Sequence, residues 1–235
     1  MAEVRLQGHS DVELVEHMGS DEGVVRRARV SLKGGNDDAD LSGGTIRGMI
    51  RHMLKNQHMS VFEGAQFTFR VHTPIFVARE FMRHRTVSFN EESARYRQLE
   101  PVFWAPDEDR KLRQVGKASD YTLVDGEPAD FQQVRKSLEH AYGVAYGEYE
   151  RLLQLGIARE VARSVLPVGI FTSFYATMNA RNLMHFLTLR VDDESNTVPT
   201  HPQAEIQEVA AKMESLFAAA MPETHAAFAA NGRRV

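Results

Sequence analysis

Cysteine is absent from this 235-residue sequence. The absence excludes disulfide bonds, thiolate metal sites and a cysteine nucleophile. Long apolar runs are also missing, because no segment approaches the roughly 20 apolar residues that a membrane helix needs. The first eight residues lack the apolar core of a signal peptide. We therefore expect a cytoplasmic protein that does not associate with a membrane.

An excess of basic residues is missing as well. The formal net charge of −4 argues against a sequence-independent nucleic-acid binder, which would normally be basic. Arginines nevertheless cluster in two central stretches, and such local clustering suits a small anionic ligand better than a long polyanion. The hydrophobic fraction of 43% is enough for a sizeable core, so we expect one domain spanning residues 1–235.

The first two thirds of the chain show both strand and helix patterns. Val12 and Leu14 indicate a short strand, and the alternation of Phe67, Phe69 and Val71 indicates a half-buried one. Pro74 then opens a predicted helix over Ile75 to Arg85. Two polar stretches are predicted loops: Gly34 to Gly44, and Pro101 to about Pro128.

The last part of the chain is mostly helical in pattern. Apolar residues from Val134 to Leu152 recur at helical spacing, and Gly156 suits the C-terminal cap. A short helix over Ile157 to Leu166 and an extended segment over Ile170 to Thr177 follow. Asn179 is the predicted N-cap of the next helix, and an amphipathic helix from Ile206 to Ala220 is the last one predicted. Strands and helices do not alternate regularly, which favours an α+β fold.

The first arginine cluster places five arginines within nineteen residues, from Arg79 to Arg97. Guanidinium forks match phosphate and carboxylate oxygens. If the segment is extended, Ser93 and Arg95 could grip one phosphate, and Glu91 could accept from ribose hydroxyls or position an arginine. The alternative is a capping box from Ser88 to Glu91 within a solvated salt-bridge face.

The second cluster runs from Arg163 to Arg190. On a helix, Arg181 and His185 share one face, and Arg190 lies at the helix end, where its charge favours the dipole or reaches a ligand. The alternative is that Arg163 pairs with Glu160, and Arg190 with Asp192 or Asp193. His52 and His58 are six residues apart, which is not helical ligand spacing, so we expect no metal site.

The order of residues in the first cluster is distinctive. Arg83-His84-Arg85 is followed by seven residues and then Ser93, with Asn90, Glu91 and Arg95 in the same frame. This pattern resembles the signature of the flavin-dependent thymidylate synthases. The similarity extends to the stretch from Leu14 to Asp21, to Phe67 through Arg79, and to the second cluster in order and spacing.

The resemblance implies a fold and a reaction. The fold would be a homotetramer with a central mixed or antiparallel sheet flanked by helices, and active sites shared between subunits. The reaction would be the reductive methylation of dUMP to dTMP, with FAD as cofactor, 5,10-methylenetetrahydrofolate as carbon donor and NADPH as reductant. A cysteine thiolate cannot activate the uracil here, and Ser93 has no obvious adjacent base, so cofactor chemistry must carry the reaction.

The resemblance also implies site residues. Arg190 is the expected catalytic residue; it is too basic to act as a base, but it can stabilise negative charge on the polarised uracil. The residues expected to bind dUMP are Glu80, Phe81, Met82, Arg83, Glu91, Glu92, Ser93, Ala94, Arg95, Arg163 and Arg190, with the phosphate among Ser93, Arg95 and Arg163. The residues expected to bind FAD are Ser60, Arg83, His84, Arg85, Glu91, Asn179, Ala180, Arg181 and His185.

One position departs from the pattern. The family usually has glutamine where this chain has Glu80, and an ionised glutamate accepts hydrogen bonds but donates none. Glu80 would repel the nucleotide phosphate unless it faces Arg83 or the uracil N3–H.

Two other functions remain open at this point. A nucleic-acid-binding module would use the same arginines, but it predicts a basic balance and exposed stacking aromatics. A flavin reductase or oxidase without methyl transfer would not need Ser93, Arg95, Arg163 and Arg190 together.

Overall fold

Hydrogen-bonded strands and amphipathic helices alternate irregularly along this chain. A computed structural model describes residues 2–33, 41–117 and 120–235. The strands are β1 (Arg5–Gln7), β2 (Asp11–Met18), β3 (Gln66–Pro74), β4 (Ser88–Glu91), β5 (Val102–Trp104), β6 (Arg113–Lys117), β7 (Asp120–Val124) and β8 (Phe171–Asn179). The helices are α1 (Asp21–Lys33), α2 (Gly43–Lys55), α3 (Ile75–Phe81), α4 (Pro128–Gln154), α5 (Arg159–Ala162), α6 (Ala180–Arg190), α7 (Ala204–Ala220) and α8 (Pro222–Ala230), with 3₁₀ turns at Met59–Phe62 and Arg163–Val165.

The chain folds as two compact units. The first unit contains Met1–His9, Thr73–Ala78 and Glu92–Thr172. The second unit contains Ser10–His72, Arg79–Glu91 and Ser173–Val235. No helix in the described ranges combines the length and apolar character of a membrane span.

The second unit is built on a four-stranded sheet in the order β2-β3-β8-β4. The pairs β2–β3 and β4–β8 are antiparallel. Along β3, Phe67, Phe69 and Val71 are fully buried, while Arg70 between them is exposed. This period of two buries one face of the strand in the core, because successive side chains point to opposite faces of a sheet.

Helices cover the core of this unit. Helix α7 packs against β2, α6 and α8, and α8 in turn packs against α2. Val209, Met213 and Phe217 are fully buried at helical spacing on α7. The carboxylate of Asp21 accepts from the backbone N–H groups of Glu223 and Thr224, both at 2.9 Å, and so satisfies the N-terminus of α8.

The first unit is built around α4. Its core combines Phe103 and Ile170 with a stripe of buried tyrosines on α4, Tyr142, Tyr146 and Tyr149. Strands β1 and β5 pair in parallel, whereas β6 and β7 form an antiparallel hairpin. Gly156 has a φ of +78°, the left-handed conformation that ends a helix, as the sequence predicts.

Several sequence predictions are confirmed. The α+β class, the strand over β3, the long helix α4 and the amphipathic helix α7 are present. Asn179 caps α6, and its side chain accepts from Asn182 N at 2.9 Å. The extended segment before it is β8. The short helix predicted over Ile157 to Leu166 is present as α5 and the 3₁₀ turn.

Other predictions are wrong. The stretch from Pro101 to Pro128 is not a loop, because it contains β5 and the hairpin β6–β7. Residues 113–117 are all exposed, so no apolar alternation marks that strand. The helix predicted to reach Arg85 ends at Phe81, and α8 follows the helix predicted to be last. Of the predicted loop from Gly34 to Gly44, residues 34–40 lie outside the described residues.

Candidate functional site

The Arg83-His84-Arg85 triplet lies in a turn that follows α3. His84 N donates to Phe81 O at 3.0 Å, and Val87 N donates to His84 O at 3.2 Å. Strand β4 then begins at Ser88, so the alternative of a capping box from Ser88 to Glu91 is excluded. Arg83 and Arg85 are exposed, whereas His84 is half-buried. The turn therefore presents two cations to solvent and holds an imidazole between them.

A cluster of aromatic rings packs against this turn. The Phe81 ring stacks on Phe186 with centroids 4.5 Å apart, and it meets Phe174 at 5.5 Å and Phe89 at 5.7 Å. The His84 ring lies edge-on to Phe186 at 4.8 Å. Rings from α3, β4, β8 and α6 thus fix the position of His84 through packing.

Helix α6 supplies the second set of predicted residues. Asn182 Nδ2 donates to Thr86 O at 3.1 Å, which ties the helix to the end of the Arg83–Arg85 turn. Arg181 and His185 are exposed on the same face of the helix, as their spacing predicts.

Arg190 is the last residue of α6 and is held by two groups. Its Nε donates to His84 Nε2 at 3.1 Å, and its Nη1 donates to Glu80 Oε1 at 2.5 Å. The side chains of Arg190 and Glu80 are each 20% exposed. The alternative pairing of Arg190 with Asp192 or Asp193 is therefore excluded, and the carboxylate of Glu80 faces Arg190 rather than Arg83.

The imidazole of His84 is neutral at physiological pH. Burial, with added repulsion from Arg190 and His185, lowers the pKa of His84 from 6.5 to about 4. Because Nε2 accepts the Arg190 hydrogen bond, the ring proton lies on Nδ1. The site thus contains a guanidinium, a carboxylate and a neutral imidazole.

A second polar group lies at the start of α6. Arg181 Nη1 contacts Glu63 Oε1 at 2.6 Å, and both side chains are more than 40% exposed. Ala180 N donates to Ala65 O at 2.9 Å, which holds the helix start beside the segment after the 3₁₀ turn. Ser60 is exposed in that turn. Ser60, Asn179 and Arg181 therefore belong to one part of the second unit.

The predicted phosphate ligands lie in the first unit. Tyr96 N donates to Ser93 O at 3.0 Å, so this segment is a turn and the extended conformation, on which a shared grip by Ser93 and Arg95 is conditional, is not present. Ser93 Oγ accepts from Arg95 N at 3.3 Å. The Arg95 side chain lies against the exposed Tyr96 ring, 5.1 Å from its centroid. Arg97 braces the turn through Glu92 at 3.2 Å.

Buried tyrosines anchor the end of this turn. Tyr146 OH donates to Leu99 O at 2.8 Å, and Tyr149 OH accepts from Leu99 N at 3.4 Å. Arg163 is exposed in its 3₁₀ turn and makes no ion pair with the residues described, so the alternative pairing with Glu160 is not formed.

Three predicted ligand residues are buried. Phe81 and Ala180 have no exposed surface, and Ala94 is 8% exposed. Met82 is half-buried and Glu91 is exposed. Their roles as ligand contacts stay predictions.

Comparison with known proteins decides the family. Residues 13–223 match the protein family described as "Thymidylate synthase complementing protein". A flavin-dependent thymidylate synthase from Streptomyces coelicolor is 48% identical over 233 residues, which cover 98% of this chain and 95% of the relative. The chain belongs to the flavin-dependent thymidylate synthases. The activity predicted from sequence, thymidylate synthesis from dUMP without a cysteine nucleophile, is confirmed by this membership, as is the methyltransferase class.

Solved structures agree with this flavin-dependent thymidylate synthase in fold. A UMP/dUMP methylase, PolB from Streptomyces cacaoi bound with 5-Br dUMP, superposes with a TM-score of 0.92 at 51% identity, covering 98% of this chain and 99% of that one. The same methylase bound with 5-Br UMP gives a TM-score of 0.91 at 50% identity, covering 98% of each chain.

Sequence reasoning missed several residues that organise the site of this synthase. Glu63 contacts the predicted residue Arg181, 118 positions away, and Asn182 contacts Thr86, 96 positions away and next to the predicted Arg85. The position of Asn182 within the second arginine cluster could have marked it as a site residue. No motif in the sequence analysis pointed to the contact that Glu63 makes. Within the described ranges, no three metal-ligating side chains come together.

Proposed function

We propose that this chain methylates C5 of dUMP, with FAD as the flavin, 5,10-methylenetetrahydrofolate as the carbon donor and NADPH as the reductant. The observation that carries the proposal is Arg190, a guanidinium held beside a neutral imidazole at the Arg83–Arg85 turn. The absence of cysteine supports it, because the protein offers no thiolate to activate the pyrimidine.

The exposed donors of the second unit fit FAD. Ser60, Arg83, Arg85, Arg181 and His185 are exposed donors, and a pyrophosphate needs such a set. These residues would hold the cofactor together with His84, Glu91, Asn179 and Ala180. When bound, reduced FAD supplies the hydride that completes the methyl group, so the electron balance leaves the folate as tetrahydrofolate.

The nucleotide is assigned to the remaining arginines. Ser93, Arg95 and Arg163 would bind the phosphate, with Glu92 and Ala94 in the same turn. Arg95 lies on Tyr96 and is exposed, so it can turn toward an anion without leaving a buried partner unpaired. Glu80, Phe81, Met82, Arg83 and Glu91 are also proposed as nucleotide contacts.

Arg190 would act on the pyrimidine itself. Its guanidinium keeps its charge at any working pH, so it cannot take a proton from the ring. It can donate hydrogen bonds to a pyrimidine oxygen and stabilise the negative charge of the polarised uracil, which makes C5 more nucleophilic toward the methylene carbon. The catalytic role is therefore electrostatic.

We extend the proposal to the assembly and location. The chain would form a single functional domain over residues 1–235. It would assemble as a homotetramer with active sites shared between subunits, and it would be located in the cytoplasm. Light scattering of the purified protein tests the stoichiometry directly.

The central experiment uses purified protein. It should be yellow and release FAD on denaturation. With dUMP, methylenetetrahydrofolate and NADPH it should form dTMP and tetrahydrofolate in equal amounts. NADPH consumption that does not depend on dUMP, with no dTMP, would instead identify a flavin oxidase. Complementation of a thymidine-requiring bacterium tests the same activity in cells.

A second candidate substrate is UMP. The solved relatives at 50% and 51% identity are named UMP/dUMP methylases and are bound with 5-Br UMP and 5-Br dUMP. We therefore propose that methylation of UMP be tested beside that of dUMP. Equimolar competition, with both methylated products quantified, gives the ratio of the two specificity constants.

A further inference from the structure

The guanidinium of Arg190 is fixed at two of its three nitrogens. Nε donates to His84 at 3.1 Å and Nη1 donates to Glu80 at 2.5 Å. Nη2 has no hydrogen-bond partner among the residues of the described ranges. Because a guanidinium is planar, two fixed N–H bonds determine its plane and therefore the direction of the third nitrogen. Nη2 is left to donate both of its hydrogens to a ligand.

The two acceptors differ in kind. His84 is a neutral acceptor. It is also rigid, because its backbone N–H donates a hydrogen bond to Phe81 O and its ring packs against Phe186. Glu80 is a charged acceptor, and hydrogen bonds between two ionised groups are shorter and stronger than neutral ones. With 20% exposure on each side chain, the Glu80–Arg190 pair is less screened by solvent than the exposed ion pairs of this chain.

The alternative of an ordinary surface salt bridge does not fit this geometry. The Arg70–Glu13 pair on β2 and β3 is of that kind, with side chains 56% and 60% exposed. Such pairs order two long side chains for little net gain. Arg190 instead has two acceptors, Glu80 on α3 and His84 in the turn after it, and this double contact fixes its orientation.

We propose that Glu80 is a positioning residue that holds Arg190 with its Nη2 directed at the pyrimidine. The role rests on the proposed function, since it assigns Arg190 to the substrate. Where the family usually has glutamine, the amide oxygen would accept the same hydrogen bond without a charge. Glu80 therefore orients Arg190 and also balances its positive charge.

The test compares E80A and E80Q with the wild-type holoenzyme, and E13A is the matched control because Glu13 also pairs with an arginine. In E80A we expect kcat for dTMP formation to fall about 100-fold, the scale of a misplaced catalytic group, with bound flavin unchanged. E80Q should recover most of kcat, because its amide oxygen still accepts from Nη1. E13A should match the wild type.

A second measurement needs no turnover. The ¹⁵N–¹H signal of Arg190 Nε, assigned by its loss in R190K, should exchange with solvent faster in E80A than in wild type or E80Q. Wild-type kcat in E80A, or E80Q as inactive as E80A, would overturn the positioning role. If the wild type forms no dTMP but the exchange rates differ as expected, the proposed function fails, whereas the role of Glu80 in fixing the Arg190 guanidinium is supported. An unchanged exchange rate in E80A would show that Glu80 does not fix the Arg190 guanidinium.

Discussion

Arg190 carries a side chain that stays protonated at any working pH, so its contribution to catalysis must come from charge and hydrogen bonds. Its contacts are made by groups 106 and 110 residues away, at His84 and Glu80. Both partners stand in the segment that also contains the Arg83–Arg85 turn. Arg190 thus joins α6 to the Arg83–Arg85 turn within the second unit.

The first prediction concerns R190A. We expect kcat for dTMP formation to fall by about 100- to 1,000-fold, the usual cost of removing one preorganised donor. Bound flavin should be unchanged, because the cofactor is assigned to other side chains. R190K should recover little, since an ammonium keeps the charge without the planar fork. R70A, which removes an exposed arginine of β3, should behave as wild type; normal turnover in R190A would take Arg190 off the catalytic list.

The second prediction concerns His84. Its pKa should lie near 4, because burial and the charges of Arg190 and His185 disfavour the imidazolium. R190Q removes one of the two charges and should raise this pKa, but not fully to 6.5, since burial is the larger cause. Titration of the His84 ring signals by NMR measures both values. A wild-type pKa near 6.5 would contradict the neutral acceptor that the Arg190 contact requires.

At the scale of elements, α6 positions most of the site. Its first turn is capped by Asn179, its exposed face carries Arg181 and His185, and its last residue is Arg190. Asn182 reaches from the helix to the carbonyl of Thr86. The orientation of the helix and the conformation of the turn are therefore coupled by one amide.

The third prediction tests that coupling with N182D. The substitution preserves shape but replaces the donating amide with a carboxylate, which repels the Thr86 carbonyl. We expect a loss of about 0.5–1.5 kcal/mol in the free energy of unfolding, because the hydrogen bond is exposed, and weaker flavin retention because the turn carries Arg83 and Arg85. Denaturant unfolding and the flavin content after dialysis measure the two effects. S215A, on the exposed surface of α7, is the control; equal flavin retention in both variants would refute the coupling.

The elements differ in how far the sequence could reveal them. Strand β3 was predictable because Phe67, Phe69 and Val71 are buried on one face, and burial imposes the alternation. The β6–β7 hairpin was not, because residues 113–117 are exposed on both faces and carry no such pattern. The N-cap at Asn179 was predictable because capping is a local interaction.

For the site, the sequence could predict which residues belong to it but not which of them contact one another. The order of residues from Arg83 to Arg95 indicated the family and so the residues concerned. It could not show that Arg190 pairs with Glu80, because the nearest carboxylates in sequence, Asp192 and Asp193, were the natural candidates. Contacts between residues 110 positions apart follow from tertiary packing, in which Phe81 at the end of α3 stacks on Phe186 of α6, and no local spacing encodes this.

At the scale of the whole molecule, buried titratable groups couple the site to stability. The pKa of His84 is lowered from 6.5 to about 4, so between these values the unfolded chain binds a proton that the folded chain does not. The free energy of unfolding must therefore decrease as the pH falls through that window. Glu214 acts in the same direction at lower pH: although burial opposes it, hydrogen bonds from His225 and Arg233 lower its pKa below 4.5.

The fourth prediction follows from this sign. H84Q keeps an acceptor for Arg190 Nε but cannot be protonated. Between pH 7 and pH 5 the wild type should lose on the order of 1 kcal/mol more stability than H84Q does, from the shift of one histidine. Urea unfolding at both pH values measures the difference, provided that the slope with denaturant is the same. Equal losses in the two proteins would mean that His84 titrates in the folded chain as it does in the unfolded one, and the half-buried imidazole would then not be the neutral partner on which the orientation of Arg190 depends.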